Sequence, residues 1–468
     1  MTTSPTPRRV GPALRAPGRV LAVGITLAVA LTACGSSGSK ATTTPGSTSS
    51  SAATNGGGGG GGGGASAPGV TATSVTIGSH QPLTGVAAPG YSEIAPSSKA
   101  YFDFINAQGG INGRKIDYKF LDDTYNPTKT NQVVRELVTQ DKVFSIFNGL
   151  GTPTHLAVVD YLNAQKVPDL FVASGCSCWN QPSKRPYTFG WQTDYVIEGK
   201  ILGKYVADNF KGKKIGYLYQ NDDFGQDGIK GLDMEIPAAM VVDKQGYSPT
   251  NISLAAQVSA LKAKGAQVVV SFTVPAFTSI YALTAAQLGF KSQLVVSNVG
   301  SDPTTLDLLL KNFSKGKANG SLTDGIISDS YLPSASDTSN SWITLFKKIH
   351  DADPTVSKFP FDGNVLYGMA AAYTFAQALQ AAGKNPTRAS LVKAVEAGGF
   401  SKNGPGLVPF RFSGSDHAGF SGVQIAKVSG GSGTLSGPIQ TTDDGAGGIM
   451  TFTGTQPMAP SNGLPPKA

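Results

Sequence analysis

Cysteine and histidine are the side chains in this sequence that are best suited to nucleophilic, redox or metal chemistry. The chain of 468 residues has three cysteines and four histidines, at Cys34, Cys176, Cys178, His80, His155, His350 and His417. No histidine has a cysteine or a second histidine beside it at the spacing that a zinc site uses. We therefore expect no metal site and no cofactor.

The pair Cys176 and Cys178, separated by one serine, has three interpretations. Outside the cytoplasm the two cysteines can form a disulfide that closes a small ring. They can also remain two thiols, or act as a redox-active pair in a cysteine-based enzyme. The sequence has no G-x-S-x-G elbow, no H-E-x-x-H and no P-loop lysine, so we predict that the protein is not an enzyme and has no catalytic residue.

Thr152 and Thr154 flank Pro153 a few residues after the apolar run VFSIF. A threonine before a proline at a helix start is typical of an N-cap. The first turn of a helix also favours an anion, because its N–H groups are unpaired and the helix dipole is positive there. Thr152 is thus a candidate for a helix cap.

The elements that would position these residues are short apolar runs that alternate with amphipathic segments from about residue 70. VTIG (75–78), VFSIF (143–147) and QVVVSF (267–272) are continuous apolar runs, which is typical of parallel strands covered on both faces. Between them, apolar side chains recur at helical spacing, as in TKTNQVVRELVTQ. The alternation predicts an α/β class with two doubly wound parallel sheets. After residue 325 the pattern is mainly helical, followed by strand-like runs at 408–412 and 422–428.

The first 69 residues have a different texture. Arginines precede an apolar run of about 14 residues (20–33), too short to span a bilayer but right for a signal peptide. The run ends in Leu31-Thr32-Ala33-Cys34, which resembles the lipobox of bacterial lipoproteins, whose cysteine is lipidated. We expect residues 1–33 to be a lipoprotein signal peptide and 34–69 to be a disordered Gly/Ser/Thr tether.

The net charge of +8 does not indicate a nucleic-acid partner. Four arginines in the predicted signal peptide account for half of it, so the remainder of the chain carries +4. Lysine and arginine form no stripe with interleaved aromatic residues, as a nucleic-acid surface would need.

Several phrases of the folded region occur in a characteristic order: VTIGSHQPLTG, AYFDFINAQGGINGRKIDYKFLDD, NPTKTNQVVRELV and GKKIGYLYQNDDFGQDG. From about residue 75 to residue 428 the chain resembles the leucine/isoleucine/valine-type periplasmic binding proteins, the amino-acid-binding group of the type I solute receptors. The resemblance implies two α/β lobes joined by three hinge crossings, which close on a ligand. Carried over, lobe 1 comprises 70–193 and 332–406, lobe 2 comprises 194–331 and 407–440, and 441–468 is a loosely ordered tail.

The resemblance also implies a set of ligand-binding residues at strand ends, where α/β sheets collect ligands. On lobe 1 these are Thr152, for a ligand carboxylate, and Ser174, Gly175 and Cys176 in the phrase ASGCSCWN. On lobe 2 they are Phe224, Val274 and Asn298. Val274 and Asn298 depart from the family pattern, which has an aromatic residue and a carboxylate at these places, so contact with a ligand ammonium would move, for example to Asp302. Trp179 and Trp191 flank the same loops, where they can pack on a ligand or in the core.

The function implied is that of an extracytoplasmic, lipid-anchored bacterial receptor that delivers an amino acid or a related small carboxylate or amide to an ABC permease. Its partners would be the ligand, the permease subunits and the membrane, with no nucleic acid, and the protein would be a monomer. Two alternatives are a sensor of the same fold that signals to a membrane protein and a cysteine-based redox enzyme. An enzyme would depend on Cys176 or on a serine paired with His155.

Overall fold

A computed structural model describes residues 67–466 of the chain. The predicted signal peptide, Cys34 and nearly all of the predicted tether lie outside the described residues. Among residues 67–466, no helix has both the length and the apolar character needed to cross a membrane.

The first sheet contains five strands that all run parallel. They are β1 (Ser74–Gln81), β2 (Lys115–Asp122), β3 (Ile146–Phe147), β4 (Asp169–Val172) and β5 (Thr188–Gly190). Their order is β2-β1-β3-β4-β5, so the winding reverses at β1. The helices in this part of the chain are α1 (Ala88–Tyr91), α2 (Ile94–Ala107), α3 (Pro127–Thr139), α4 (Thr152–Leu156) and α5 (Val159–Ala164).

The second sheet begins with the same winding. Its parallel strands are β6 (Ile215–Gln220), β7 (Val241–Tyr247), β8 (Val268–Phe272), β9 (Gln293–Val296) and β10 (Ile327–Ser330). They lie in the order β7-β6-β8-β9-β10, which reverses at β6. The accompanying helices are α6 (Tyr195–Asn209), α7 (Asp223–Glu235), α8 (Ala255–Ala263), α9 (Pro275–Gln287) and α10 (Pro303–Phe313).

Three helices and three strands complete the described chain. The helices, which pack with the first sheet, are α11 (Ser341–Ala352), α12 (Gly363–Ala381) and α13 (Arg388–Glu396). The strands, which extend the second sheet beyond β10, are β11 (Gly422–Ser429), β12 (Ser432–Thr441) and β13 (Met450–Thr451). These last three strands are antiparallel, so the second sheet is mixed, whereas the sequence predicted a purely parallel one.

The two sheets define two lobes, and the chain passes between them three times, after β5, after β10 and before β11. We call the first sheet with its helices lobe 1 and the second sheet with its helices lobe 2. The assignment differs from the predicted ranges at 407–421, which the family resemblance assigned to lobe 2. Phe412 packs against Phe171 and Phe189, and the N–H of Gly190 donates to the carbonyl of His417, so this segment belongs to lobe 1.

The predicted loose tail after residue 440 makes ordered contacts on both lobes. The ammonium group of Lys200, buried on α6, donates to Thr442 Oγ1 at 2.8 Å and to the carbonyls of Gly445 and Gly447 at 2.9 and 2.7 Å. A glycine-rich loop can surround a buried ammonium because glycine has no side chain, so the backbone can bring several carbonyl oxygens close to the charge. Farther on, Trp342 Nε1 of lobe 1 donates to the carbonyl of Pro457 at 2.7 Å. The tail therefore runs from the second sheet back to lobe 1.

Candidate functional site

A cavity of about 310 Å³ lies between the lobes. Its lining residues follow the carboxyl ends of strands in both sheets, for example Thr152 after β3 and Ala173 after β4 on lobe 1, and Phe224 after β6 and Val274 after β8 on lobe 2. This is the edge at which open α/β sheets bind ligands, because the loops there are free to vary while the strands hold them rigidly.

On lobe 1, the wall of the cavity includes Thr152, whose hydroxyl belongs to a cluster of hydroxyl groups. Thr152 Oγ1 lies 2.6 Å from Ser174 Oγ, and the side chain of Tyr195 also interacts with both hydroxyls. The N-cap of α4 is Gly151, with φ 101°, and Thr152 is the first helical residue. The predicted threonine N-cap is therefore wrong, because glycine alone takes this backbone conformation without cost and leaves the Thr152 hydroxyl free to face Ser174.

The other lobe 1 candidates lie behind this wall. Ser174 accepts a hydrogen bond from the N–H of Cys176 at 3.3 Å and contacts Thr152, but neither Ser174, Gly175 nor Cys176 lines the cavity. A Cβ atom on Gly175 would come within 2.4 Å of the carbonyl of Thr193, so this position holds glycine because the backbone passes so close. Cys176 and Cys178 form a disulfide, one of the alternatives that the sequence left open.

On lobe 2, the three candidates Phe224, Val274 and Asn298 all line the cavity. The Phe224 ring packs on Tyr195 with 4.6 Å between ring centroids. The Asn298 side chain donates to the backbone carbonyl of Asp329 at 2.9 Å, and the backbone N–H of Asn298 donates to Glu198 Oε1 at 2.6 Å. Asn298 is thus held between two acidic residues that the sequence analysis did not select.

Asp329, at the end of β10, lines the cavity with 1 % of its surface exposed. Among the described residues, no donor makes a well-formed hydrogen bond to either of its carboxylate oxygens; the groups that act on them are the backbone N–H of Asn298 and the neighbouring acid Glu198, which can donate when it is protonated. Burial raises the pKa of Asp329 to about 7. The pKa of Glu198 is raised well above its ordinary value by burial and by the negative charge of the neighbouring Asp329. The sequence signal was weak, since ISDS resembles any strand with polar residues.

A second acidic group spans the two lobes. Asp302, at the N-cap of α10 on lobe 2, accepts from the N–H of Thr305 at 2.8 Å and from the N–H of Gly363 on lobe 1 at 3.1 Å. Asp362, the N-cap of α12, lies near enough that burial and the Asp302 charge raise its pKa to about 9. Burial and the same charge raise the pKa of Glu93 to about 7.

Further hydrogen bonds join the lobes around the cavity. Tyr91 Oη donates to the carbonyl of Val299 at 2.8 Å, and Asn364 Nδ2 donates to Thr305 Oγ1 at 3.0 Å. Gly90, with φ 80°, lies against Thr305, since a Cβ atom there would come within 2.6 Å of Thr305 Oγ1. The two lobes are therefore closed on each other.

Two histidines that are far apart in sequence form a buried chain with two aspartates in lobe 1. His80 Nδ1 lies 2.8 Å from Asp123, His80 Nε2 lies 2.9 Å from His155 Nδ1, and His155 Nε2 lies 2.8 Å from Asp169. All four side chains are fully buried and none lines the cavity. His155 is thus not available as a base on the cavity wall. The hydrogen bonds among these four side chains instead hold α4 in place, and Thr152 lies at the start of that helix.

Both tryptophans that the sequence placed beside the candidate loops belong to the core. Trp179 packs edge-on against His155, and Trp191 packs among Tyr331, Tyr367 and Phe420. Trp191 Nε1 donates to Thr374 Oγ1 at 3.0 Å. Neither tryptophan lines the cavity.

The chain matches a family model described as "Periplasmic binding protein" over residues 74–433. A Leu/Ile/Val-binding protein homolog 8 of Brucella abortus (strain 2308) is 24 % identical over 336 residues, which cover 69 % of this chain and 80 % of that protein. A Leu/Ile/Val-binding protein homolog 3 of Brucella melitensis is 26 % identical over 209 residues; this match spans 42 % of the present chain and only 53 % of the relative.

Among solved structures, a branched chain amino acid ABC transporter protein from Thermus thermophilus with bound valine superposes with a TM-score of 0.68. It is 20 % identical, and the match covers 80 % of this chain and 97 % of that one. At this identity the likeness shows a common fold.

Proposed function

Because the chain belongs to the periplasmic binding protein family, we propose that it is an extracytoplasmic receptor that captures a small molecule between its lobes and delivers it, chemically unaltered, to an ABC permease. The observation that carries the proposal is the cavity at the carboxyl ends of both sheets, bridged by hydrogen bonds between the lobes. A cavity that opens and closes by lobe movement binds and releases a ligand without any chemical step.

The walls of the cavity combine hydroxyl, aromatic and carboxyl groups, which suit the binding of a small polar molecule. Thr152, Ser174 and Tyr195 form a hydroxyl cluster that includes no base, and no histidine of residues 67–466 lines the cavity. The disulfide of Cys176 and Cys178 lies behind the wall. We infer that the protein is a binding protein and not an enzyme.

The ligand class that we propose is an amino acid or a related small carboxylate or amide. The Brucella relatives are named for leucine, isoleucine and valine, and hydroxyl groups at the start of α4 suit a carboxylate or carbonyl oxygen. We further propose that Cys34 anchors the protein to the outer face of the bacterial membrane through a lipid, and that it acts as a monomer beside the permease.

A thermal-shift screen of the purified protein against amino acids, amides and small carboxylates tests this proposal. A ligand at a hundred times its Kd adds about 2.7 kcal/mol to the free energy of unfolding, which is a clear shift in melting temperature. We expect at least one member of the panel to give such a shift. If no compound of any charge or size shifts the melting temperature, the receptor function is wrong.

A further inference from the structure

The wall of the cavity carries acidic side chains without any basic side chain to balance them. Three aspartates line the cavity, at positions 302, 329 and 362, and no lysine, arginine or histidine is among the lining residues. The chain as a whole has a net charge of +8, so an acidic cavity does not follow from its composition. The acidic character of the wall is therefore a property of the site and not of the chain as a whole.

Asp329 is the least compensated of these aspartates. The carboxylates of Asp302 and Asp362 each accept backbone hydrogen bonds at the start of a helix. Asp329 is buried without a well-formed hydrogen bond to either carboxylate oxygen, and the groups that act on it are the backbone N–H of Asn298 and a second acid, Glu198. One proton shared by Glu198 and Asp329 neutralises one of the two charges, and a buried carboxylate that keeps its charge needs a cationic partner.

The remaining walls suit an organic cation better than a metal ion. Seven aromatic side chains line the cavity, namely Tyr91, Tyr125, Tyr195, Phe224, Tyr331, Phe361 and Tyr367. The faces of aromatic rings attract ammonium and guanidinium groups. Among residues 67–466, no three His, Cys, Asp or Glu side chains are arranged to hold a metal ion.

We propose that the ligand of this cavity carries a net positive charge, as an ammonium or guanidinium group that binds against Asp329 on lobe 2. The inference rests on the proposed function, because it takes the cavity between the lobes as the ligand site. It restricts the amino acids of the proposed ligand class to the basic ones and adds diamines, which have no carboxylate. A branched-chain amino acid also has an ammonium group that can face Asp329, but its carboxylate brings its net charge to zero, so it adds no net positive charge to the acidic cavity.

Calorimetric titration of the full chain with L-arginine, L-lysine, 1,4-diaminobutane, L-leucine and L-glutamate tests the inference at pH 8. We expect one or more of the three cationic probes to bind at least about tenfold more tightly than leucine, and glutamate to bind most weakly. Asp329→Asn should weaken binding of the cation by about tenfold or more, because it removes the charge that the ligand faces. Asp208→Asn, which removes an exposed charge of α6 that pairs with Lys204, should change it less than about twofold.

The inference is wrong if leucine or glutamate binds as tightly as the best cationic probe, or if the Asp329→Asn protein keeps full affinity for that probe. Either result would leave the receptor function intact. If none of the five probes binds, the cation inference fails, whereas the receptor function fails only if the wider screen is also negative.

A second measurement does not depend on the folding of the variant. Cation affinity of the unmodified protein should rise between pH 6 and pH 8, because Asp329, whose pKa burial raises to about 7, gains its negative charge over this range. An affinity that is flat over this range contradicts the role of Asp329.

Discussion

Ser177, the residue between the two disulfide-bonded cysteines on lobe 1, donates two hydrogen bonds to Asp227 on α7 of lobe 2. Its N–H lies 2.7 Å from Asp227 Oδ2, and its hydroxyl lies 3.2 Å from Oδ1. The disulfide holds the Ser177 backbone in a small ring, so that both donors face the other lobe at once. The C-S-C sequence, which suggested redox chemistry, thus forms a contact that spans the two lobes.

Asp227→Ala should favour the open form and weaken ligand binding. Hydrogen bonds to a charged group contribute about 1.5–3 kcal/mol each, so the loss should lower affinity by about tenfold or more and act mainly on the dissociation rate. Stopped-flow measurement with the best ligand of the screen checks this. Asp233→Ala is the matched control, because Asp233 lies on the same helix and pairs with Lys244 at the surface. Equal effects of the two variants would show that the Ser177 contact does not hold the lobes together.

Thr152→Ala should weaken binding of a carboxylate-bearing ligand by about tenfold, because it removes one hydroxyl of the lobe 1 cluster. Thr152→Ser is the control, since it keeps the hydroxyl and should retain most of the affinity. Calorimetric titration of the three proteins gives the comparison. A Thr152→Ala protein with unchanged affinity would place the carboxylate elsewhere in the cavity.

The protein without ligand should become less stable as the pH rises above 6.5. Burial raises the pKa of Asp194 to about 8 and of Asp362 to about 9, whereas both titrate near 4 in the unfolded chain. The folded state therefore holds protons that the unfolded state has lost, so this contribution to stability is complete below pH 4 and disappears as the pH rises through 8 to 9. Urea unfolding at pH 6.5 and pH 9 should differ by roughly 2 kcal/mol or more.

Asp362→Asn isolates one part of this effect. Asparagine is also a good N-cap, so α12 should keep its start while the titrating group is lost. We expect the difference in unfolding free energy between pH 6.5 and pH 9 to shrink in this variant and to stay the same in Asp208→Asn. Greater stability at pH 9 than at pH 6.5 in the unmodified protein would contradict the raised pKa values.

His155→Ala should destabilise lobe 1 by about 3–5 kcal/mol, because it leaves His80 and Asp169 buried without their partner. Urea unfolding measures the loss. His350→Ala should cost less, since its carboxylate partner Asp351 is half exposed. A double-mutant cycle with His80→Ala should show that the two losses are not additive. Additive losses would mean that the two histidines do not act as one chain.

The sequence predicts the class of the fold well because its strands are covered on both faces. VTIG, QVVVSF and QLVVS are apolar runs that become β1, β8 and β9. The C-terminal strands are harder to predict. β12, with the sequence SGTLSGPIQT, has few apolar residues and depends on pairing with β11.

The site is only partly predictable, because its key relationships join residues that are far apart in the chain. Thr152, Phe224, Val274 and Asn298, which the family resemblance implied, follow strands and line the cavity. The acid pair of Glu198 and Asp329 is separated by 131 residues, and nothing near either residue indicates the other. His80 and His155 likewise meet only because β1 and α4 end beside each other.

One experiment tests the central claim most directly: calorimetric titration of the purified chain with the best compound of the screen, followed by mass spectrometry of the compound recovered from the protein. We expect one molecule to bind per chain and to be recovered with its mass unchanged. Conversion of the compound to a product, or the absence of saturable binding for every compound of the screen, would contradict a receptor that closes on a ligand and releases it unaltered.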